Sequence, residues 1–101
     1  MDPNKQQAAE AAAFRRLINH LRDRPDVQNV EMMMLADFCR NCLSNWYQEA
    51  AEAEGASISK DAARAHVYGM PYADWKAKHQ TEMTPEQQAR FDAHMAKKKG
   101  G

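Results

Sequence analysis

The spacing of apolar residues predicts an amphipathic helix near the start of the chain, over residues 4–23. Its buried face repeats at i, i+3, i+4 and i+7, the period of a helical stripe, at Phe14, Leu17, Ile18 and Leu21. Pro25 ends the helix, because proline disfavours helical geometry in the residue before it. The first ten residues are rich in Ala and Gln, and we expect them to fray.

Residues 26–54 contain no Pro or Gly, and their pattern predicts one long central helix. Asp26 suits the N-cap position, and Gly55 suits the left-handed position that closes a helix. Residues 30–38 are apolar nearly all round, which is typical of a central or interfacial helix. A break near Met34 is the alternative. On a helical wheel the broad apolar face comprises Met32, Leu35, Ala36, Cys39, Cys42, Leu43, Trp46 and Ala50.

Pro and Gly divide the rest of the chain into shorter helices. Ser59 is the predicted N-cap of a helix that Gly69 ends, and Pro71 opens a helix that runs to about His79. Residues 84–87, Thr-Pro-Glu-Gln, form a capping box that opens the last helix. Residues 96–101 are expected to form a loose basic tail. The sequence therefore predicts an all-α single domain over residues 1–101, with about five helices and a long central one.

Composition supports this fold class and narrows the function classes. Strand-forming residues are scarce, whereas Ala, Glu, Gln, Lys, Arg and Met dominate. The 14 basic and 14 acidic residues give zero net charge, which argues against a nucleic-acid-binding protein. The longest strongly apolar run, residues 32–36, is far shorter than the roughly 20 residues of a membrane helix. With two cysteines and no apolar signal segment, we expect a cytoplasmic protein that contacts no membrane.

Two short strings are unlike generic helical sequence: F-C-R-N-C-L at residues 38–43 and Y-G-M-P-Y at residues 68–72. With their flanks, residues 20–47 and 68–80, they resemble a family of short bacterial proteins catalogued as domain of unknown function 1244. Asp37 departs from the resemblance, since a small residue, often Gly, is expected there. The resemblance implies a small multihelical domain, and it implies no reaction.

Cys39 and Cys42 form a C-x-x-C pair that has three interpretations. A redox pair favours a helix N-terminus, whereas Cys39 is predicted deep inside a helix, so this interpretation is disfavoured. A zinc or iron site needs further ligands, for which His79, another His, Asp37 or a second copy of the pair are the candidates. The favoured interpretation is that both are small buried hydrophobic residues, because cysteine is often buried.

The polar turn between the first two helices is a candidate site for a small anionic ligand. Arginines beside a helix N-terminus favour negative charge. Capping explains Asp26 and Asn29 without a ligand, and we favour that plainer interpretation. The candidate residues of this turn are His20, Arg24, Asp26, Gln28 and Asn29.

Two further groups of side chains are candidates for ligand binding. Arg40 and Asn41 fall on the polar side of the predicted wheel, where they bond a neighbouring loop or a second subunit, or remain solvated. The aromatic segment Tyr68, Tyr72, Trp75 and His79 has helical spacing, which is more typical of core or interface than of base stacking. Tyr72, Trp75 and His79 are its ligand-binding candidates.

Three hypotheses for function follow. The favoured one is a homo-oligomeric binding module, a homodimer or a partner of another protein, because large core residues are few and residues 32–34 are adaptable methionines. The halves of the chain carry opposed charge, net −3 over residues 1–55 and +3 over residues 56–101, which biases how two copies approach. The second is a metal- or thiol-dependent protein centred on Cys39 and Cys42. The third is an enzyme or sensor for an anionic ligand at the polar turn, which no nucleophile-plus-base spacing supports.

Overall fold

The computed structural model describes the backbone of residues 1–100 and the side chains of residues 1–97. Within that part of the chain every regular element is an α-helix, so the predicted fold class is confirmed, although there are six helices where about five were predicted. They are α1 (Pro3–Arg22), α2 (Asn29–Ala36), α3 (Arg40–Ala53), α4 (Lys60–Tyr68), α5 (Tyr72–His79) and α6 (Pro85–Gly100). Part of the tail predicted to be loose lies within α6, and the rest lies outside the described residues. Among the described residues no helix is both long and apolar enough to cross a membrane.

The predicted long central helix is wrong, because the chain breaks between α2 and α3. Asp37 adopts the left-handed conformation, with φ 59°, and closes α2 by donating its N–H to the carbonyl of Met33 at 3.0 Å. Cys39 is extended, with φ −145° and ψ −178°, and is the N-cap of α3. A left-handed residue cannot continue a helix, and glycine is favoured at such positions. This conformation explains why a small residue is expected where Asp37 stands.

The break also changes which side chains are buried. Leu35 and Trp46 were predicted on the apolar face, but they are 79% and 52% exposed. Arg40 was predicted on the polar face, but it is 1% exposed, and Ser44, one turn further along α3, is 0% exposed. The helical wheel was drawn for one continuous helix. The extended backbone of Cys39 changes the orientation of α3, so a different face of α3 packs against the core.

Helix α4 lies at the centre of the fold and packs against α1, α3 and α5, while α6 packs on α2. The capping contacts that the sequence predicts for α4 and α6 are present. Ser59 Oγ accepts from the N–H of Ala62 at 3.0 Å, and Gly69 ends α4 with φ 77°. Thr84 and Gln87 cap each other reciprocally at 3.0 and 3.1 Å. The core of buried residues consists of Ile18, Leu43, Val67, Tyr68 and Trp75.

Side-chain contacts join helices that are distant in sequence. The Arg22 guanidinium of α1 donates to the carbonyl oxygens of His66 and Val67 at the end of α4. A cation at this end stabilises the helix, whose last carbonyls lack intrahelical partners. Helix α6 is tied to α2 by Gln87, which donates to Glu31, and by His94, whose Nε2 lies 3.0 Å from the Asp37 carboxylate.

Candidate functional site

The turn before α2 is built around the buried side chain of Arg40. Its Nη1 donates to the carbonyl of Val27 at 2.6 Å and to Asn29 Oδ1 at 3.1 Å, and its Nη2 donates to the carbonyl of Arg24 at 2.8 Å. The Arg40 guanidinium also lies over the Trp75 ring, with Cζ 4.9 Å from the ring centroid. Burial lowers the pKa of Arg40 from its usual value. Arg40 therefore holds the turn between α1 and α2 in place. The alternative prediction, that its side chain remains solvated, is wrong.

A second set of polar contacts joins this turn to α3 and α4. The Asn29 amide donates to the Tyr68 hydroxyl at 3.0 Å, and that hydroxyl donates to Asn41 Oδ1 at 2.7 Å. Burial raises the pKa of Tyr68 to about 12, so the phenol stays protonated and keeps donating. Asn29 and Asn41, both predicted site residues, thus lie on either side of one buried hydroxyl.

Gln28 holds the segment between α5 and α6 in place. Its amide nitrogen donates to the carbonyl of His79 at 2.8 Å, and its amide oxygen accepts from the N–H of Thr81 at 3.1 Å. Gln28 is also the N-cap of α2, a position predicted for Asp26, although its side chain makes no capping bond. The prediction of Asp26 as the N-cap is therefore wrong. Gln28 has a structural role, because both polar atoms of its amide bond the segment between α5 and α6.

A cavity of about 250 Å³ lies where these contacts meet, between α2, α3, α5 and α6. Four of the predicted ligand-binding residues line it: Gln28, Asn29, Asn41 and Tyr72. The remaining walls are mostly apolar, and among residues 1–97 no cationic side chain lines the cavity. Asn41 accepts through its oxygen, whereas no hydrogen bond involves its amide nitrogen. The cavity therefore offers a neutral donor beside apolar rings and methionines. Its other lining residues are Val30, Met33, Gln80, Thr81, Met83 and Phe91.

The aromatic segment is divided between core and cavity. Trp75 is 3% exposed and packs edge-on against Tyr68, with ring centroids 5.0 Å apart. The His79 ring lies 5.6 Å from that of Trp75, centroid to centroid. Tyr72 contacts Tyr68 from the cavity side at 5.2 Å. Of the three predicted candidates, only Tyr72 lines the cavity.

The charged residues of the polar turn lie apart from the cavity. Arg24 and Asp26 form an exposed pair with a distance of 3.0 Å between Nη2 and Oδ2, and Arg24 holds the pKa of Asp26 below its usual value. His20 is exposed on α1. The cation inside the turn is Arg40, and backbone carbonyls and Asn29 use its donors. An anionic ligand at this turn stays a prediction.

Cys39 and Cys42 lie at the start of α3, and not deep inside a helix as predicted. Their Sγ atoms are 3.7 Å apart, and both thiols are free. Cys39 is buried, and burial raises its thiol pKa, although the nearby backbone amides of Asn41 and Cys42 act in the opposite direction. Cys42 is partly exposed, and its Sγ lies 3.8 Å from Met33 Sδ. The argument that disfavoured redox chemistry by position in the helix is therefore wrong.

The predicted metal ligands do not assemble around the cysteine pair. Among residues 1–97, no group of three or more His, Cys, Asp or Glu side chains is placed to hold a metal ion. His79 packs on Trp75, and His94 bonds Asp37. Zinc or iron binding by Cys39, Cys42 and His79 stays a prediction.

Large apolar side chains are exposed on α2 and α3, near the junction between the two helices. Leu35 is 79% exposed and Trp46 is 52% exposed. The ring of Phe38 stacks on that of Trp46, with centroids 6.0 Å apart and planes 20° from parallel. We call Leu35, Phe38 and Trp46 the apolar surface. Trp46 also forms one wall of a groove between α1 and α3 that is lined by Phe14, Leu43, Tyr47 and Ala50.

These features define a class: a small all-α protein with a buried arginine, a neutral polar cavity and an exposed apolar surface. The sequence matches the family model described as Protein of unknown function (DUF1244) over residues 27–93, well over half of the chain. The chain therefore belongs to this family, as its two short strings predict. A search of curated proteins found no match.

Several residues of these sites were not foreseen in the sequence. Met83 and Phe91 reach the cavity from the loop before α6 and from α6, and no local pattern connects them with residues 28–41. For the apolar surface a signal existed, because Asp37 stands where the resemblance expects a small residue. A position that favours Gly indicates left-handed backbone and a helix end.

Proposed function

We propose that this protein is a homodimeric interaction module that self-associates through the apolar surface. The exposure of Leu35 and Trp46, together with the partly buried Phe38 ring stacked on Trp46, supports this proposal most directly. Aromatic side chains and Met are enriched at protein interfaces, and adjoining large apolar residues on a protein surface mark interaction sites. Helices α2 and α3 thus provide a hydrophobic face for a partner.

A second copy of the chain is the partner that suits this surface best. A twofold interface places the same patch on both subunits, so a patch with little charge avoids repelling its own copy. Residues 32–46 contain only two charged residues, Asp37 and Arg40. Arg40 is buried, and Asp37 contacts His94 Nε2 at 3.0 Å, so the surface carries a single exposed charge.

Size-exclusion chromatography of matched variants tests this proposal. Leu35→Lys places a charge on the most exposed residue of the apolar surface, and we expect the dimer to dissociate at concentrations where the wild type remains associated. Leu17→Lys is the control, because Leu17 is an exposed leucine of α1, at 38%, outside the surface. Identical elution of wild type and Leu35→Lys at every concentration would contradict the proposal.

The cavity supports a second candidate function, the binding of a small neutral ligand. The observation in its favour is that Asn41 lines a mostly apolar cavity while its amide oxygen accepts from Tyr68, and within residues 1–97 no hydrogen bond involves its amide nitrogen. Ligand pockets commonly combine apolar walls with a few placed polar groups. A ligand with one carbonyl acceptor and a small apolar body matches this arrangement. The absence of a lining cation disfavours an anion.

A thermal-shift screen tests the cavity as a ligand site. Small primary and secondary amides are the probes, and binding to the native state raises the melting temperature by mass action. Asn41→Asp removes the donor at nearly the same size, so we expect it to abolish the shift. A shift that Asn41→Asp preserves, or no shift with any probe, would count against this candidate.

We further propose that the protein acts in the bacterial cytoplasm, which agrees with its two free thiols and with the resemblance of its sequence. Metal binding is the weaker alternative for the cysteine pair, because within residues 1–97 no third Cys, His, Asp or Glu side chain joins the two cysteines. A zinc or iron site would need ligands from a second copy. Metal analysis of protein purified without chelator tests it, and a stoichiometric metal content would support it.

A further inference from the structure

The two cysteines lie in an arrangement that suits disulfide formation. Their sulfur atoms are separated by 3.7 Å, about van der Waals contact, whereas a disulfide bond is about 2.05 Å long. Cys39 is the extended N-cap of α3, and Cys42 lies in the first turn of the same helix. As the N-cap, Cys39 has non-helical backbone angles, and its carbonyl accepts the first hydrogen bond of α3 from the N–H of Leu43 at 3.0 Å.

The two thiols differ in access to solvent, which gives them different roles. Cys42 is partly exposed, so a small molecule can reach its sulfur. Cys39 is 7% exposed and lies behind it. Thiol–disulfide exchange needs one accessible thiol that reacts first and a second thiol close enough to resolve the mixed disulfide. Cys42 and Cys39 meet these two needs in that order.

We propose that Cys39 and Cys42 form a redox-active dithiol that reduces low-molecular-weight disulfides of the glutathione type. The Cys42 thiolate attacks one sulfur of the small disulfide, whose S–S bond breaks and releases one thiolate. The Cys39 thiolate then attacks the Cys42 sulfur, breaks the mixed disulfide and releases the second thiolate. The two released thiolates take up the protons that Cys39 and Cys42 lose. Two electrons pass from the protein to the small disulfide, and the protein retains an intrachain disulfide.

Mass spectrometry of the full chain in glutathione redox buffers tests this inference. The reduced protein is equilibrated at increasing ratios of glutathione disulfide to glutathione, quenched with acid and treated with a maleimide. We expect one transition to a species that has lost two hydrogens and takes up no maleimide. The chain has only two cysteines, so every thiol counted belongs to the pair. Two reactive thiols in the most oxidising buffer, or a disulfide between chains, would overturn the inference.

Two single variants test the order of the steps. Cys39→Ser lacks the resolving thiol, so it should accumulate one glutathionyl group on Cys42. Cys42→Ser retains only the buried thiol, and we expect its modification to be about tenfold slower. Equal rates in the two variants, or faster modification of Cys42→Ser, would contradict the assigned roles. The wild-type measurement stands on its own if either variant fails to fold, and it follows the thiols of each chain whether or not copies associate.

Discussion

The guanidinium of Arg40 is buried over the indole ring of Trp75, with 4.9 Å between Cζ and the ring centroid. No ion pair within residues 1–97 involves Arg40. Its donors are instead used by two backbone carbonyls and the side chain of Asn29. A buried charge is tolerated when it is hydrogen-bonded, so these acceptors and the aromatic ring keep Arg40 inside. The contact joins α3 and α5 to the turn between α1 and α2.

Removal of the Arg40 side chain should strongly destabilise the fold. Arg40→Ala removes three side-chain hydrogen bonds, and at about 1 kcal/mol for each bond we expect a loss of about 3 kcal/mol in the free energy of unfolding. Urea denaturation measures the change. Arg24→Ala is the control, since its side chain is exposed and its pair with Asp26 contributes little, about 0–1 kcal/mol. Similar losses in the two variants would show that Arg40 does not organise the turn.

Ionisation of Tyr68 should destabilise the protein in alkaline solution. The pKa of this buried phenol is about 12 in the folded chain, against 10 for an unperturbed tyrosine. Because the pKa of the Tyr68 phenol is higher in the folded chain than in the unfolded chain, its protonation stabilises the fold. This contribution to the free energy of unfolding is fully present below pH 10 and is lost as the pH rises through 12. A two-unit shift corresponds to about 2–3 kcal/mol. We expect urea denaturation from pH 9 to 12 to show a steeper loss for wild type than for Tyr68→Phe. Parallel curves would contradict the assignment.

The left-handed backbone at Asp37 can be measured with two substitutions. Asp37→Gly and Asp37→Ala both remove the contact with His94, so they differ mainly in the conformational cost at φ 59°. Left-handed geometry costs a residue with a Cβ roughly 1–2 kcal/mol. We expect Asp37→Gly to be more stable than Asp37→Ala by about 1 kcal/mol in chemical denaturation. Equal stabilities would indicate that the break between α2 and α3 is not left-handed in solution.

Gly69 should tolerate alanine less well than Gly55 does. Both have positive φ, 77° and 82°, so both substitutions strain the backbone. A Cβ at Gly69 would lie 2.8 Å from Nε of Arg22, whereas a Cβ at Gly55 would meet nothing within 4 Å. Gly69→Ala must therefore displace the guanidinium that caps α4, at a cost of about 1 kcal/mol beyond the shared strain. Thermal denaturation of the two variants measures the difference, and identical melting temperatures would rule out the Arg22 contact.

Local signals in the sequence predicted the caps of α4 and α6, whereas the hydrophobic pattern did not locate the break between α2 and α3. Ser59, Gly69 and the Thr84–Gln87 box each act within a few residues, so their roles follow from spacing alone. The break at Asp37 lacks Pro and Gly, and the apolar residues around it fit one continuous helix as well as two. A helical wheel drawn for one continuous helix places Arg40 on the polar side. The hydrogen-bond acceptors of the Arg40 side chain lie 11 to 16 residues earlier in the chain.

The candidate site was predicted where its residues come from one turn and missed where they come from distant helices. Gln28, Asn29 and Tyr72 line the cavity from turns that the sequence marks with Pro25 and Pro71, whereas Asn41 lies at the start of α3, a helix end that the sequence does not mark. Phe91 joins them only because α6 packs on α2, and no periodicity within either helix encodes that packing. The distance of 3.7 Å between the cysteine sulfurs likewise depends on the helix starting at residue 40.

Sedimentation equilibrium of the wild-type chain tests the central proposal, self-association through Leu35, Phe38 and Trp46, most directly. The account predicts that the molar mass rises with concentration to twice the 11.5 kDa of one chain and then stays constant, because a twofold interface closes. A mass of 11.5 kDa at every concentration up to the millimolar range would contradict the account.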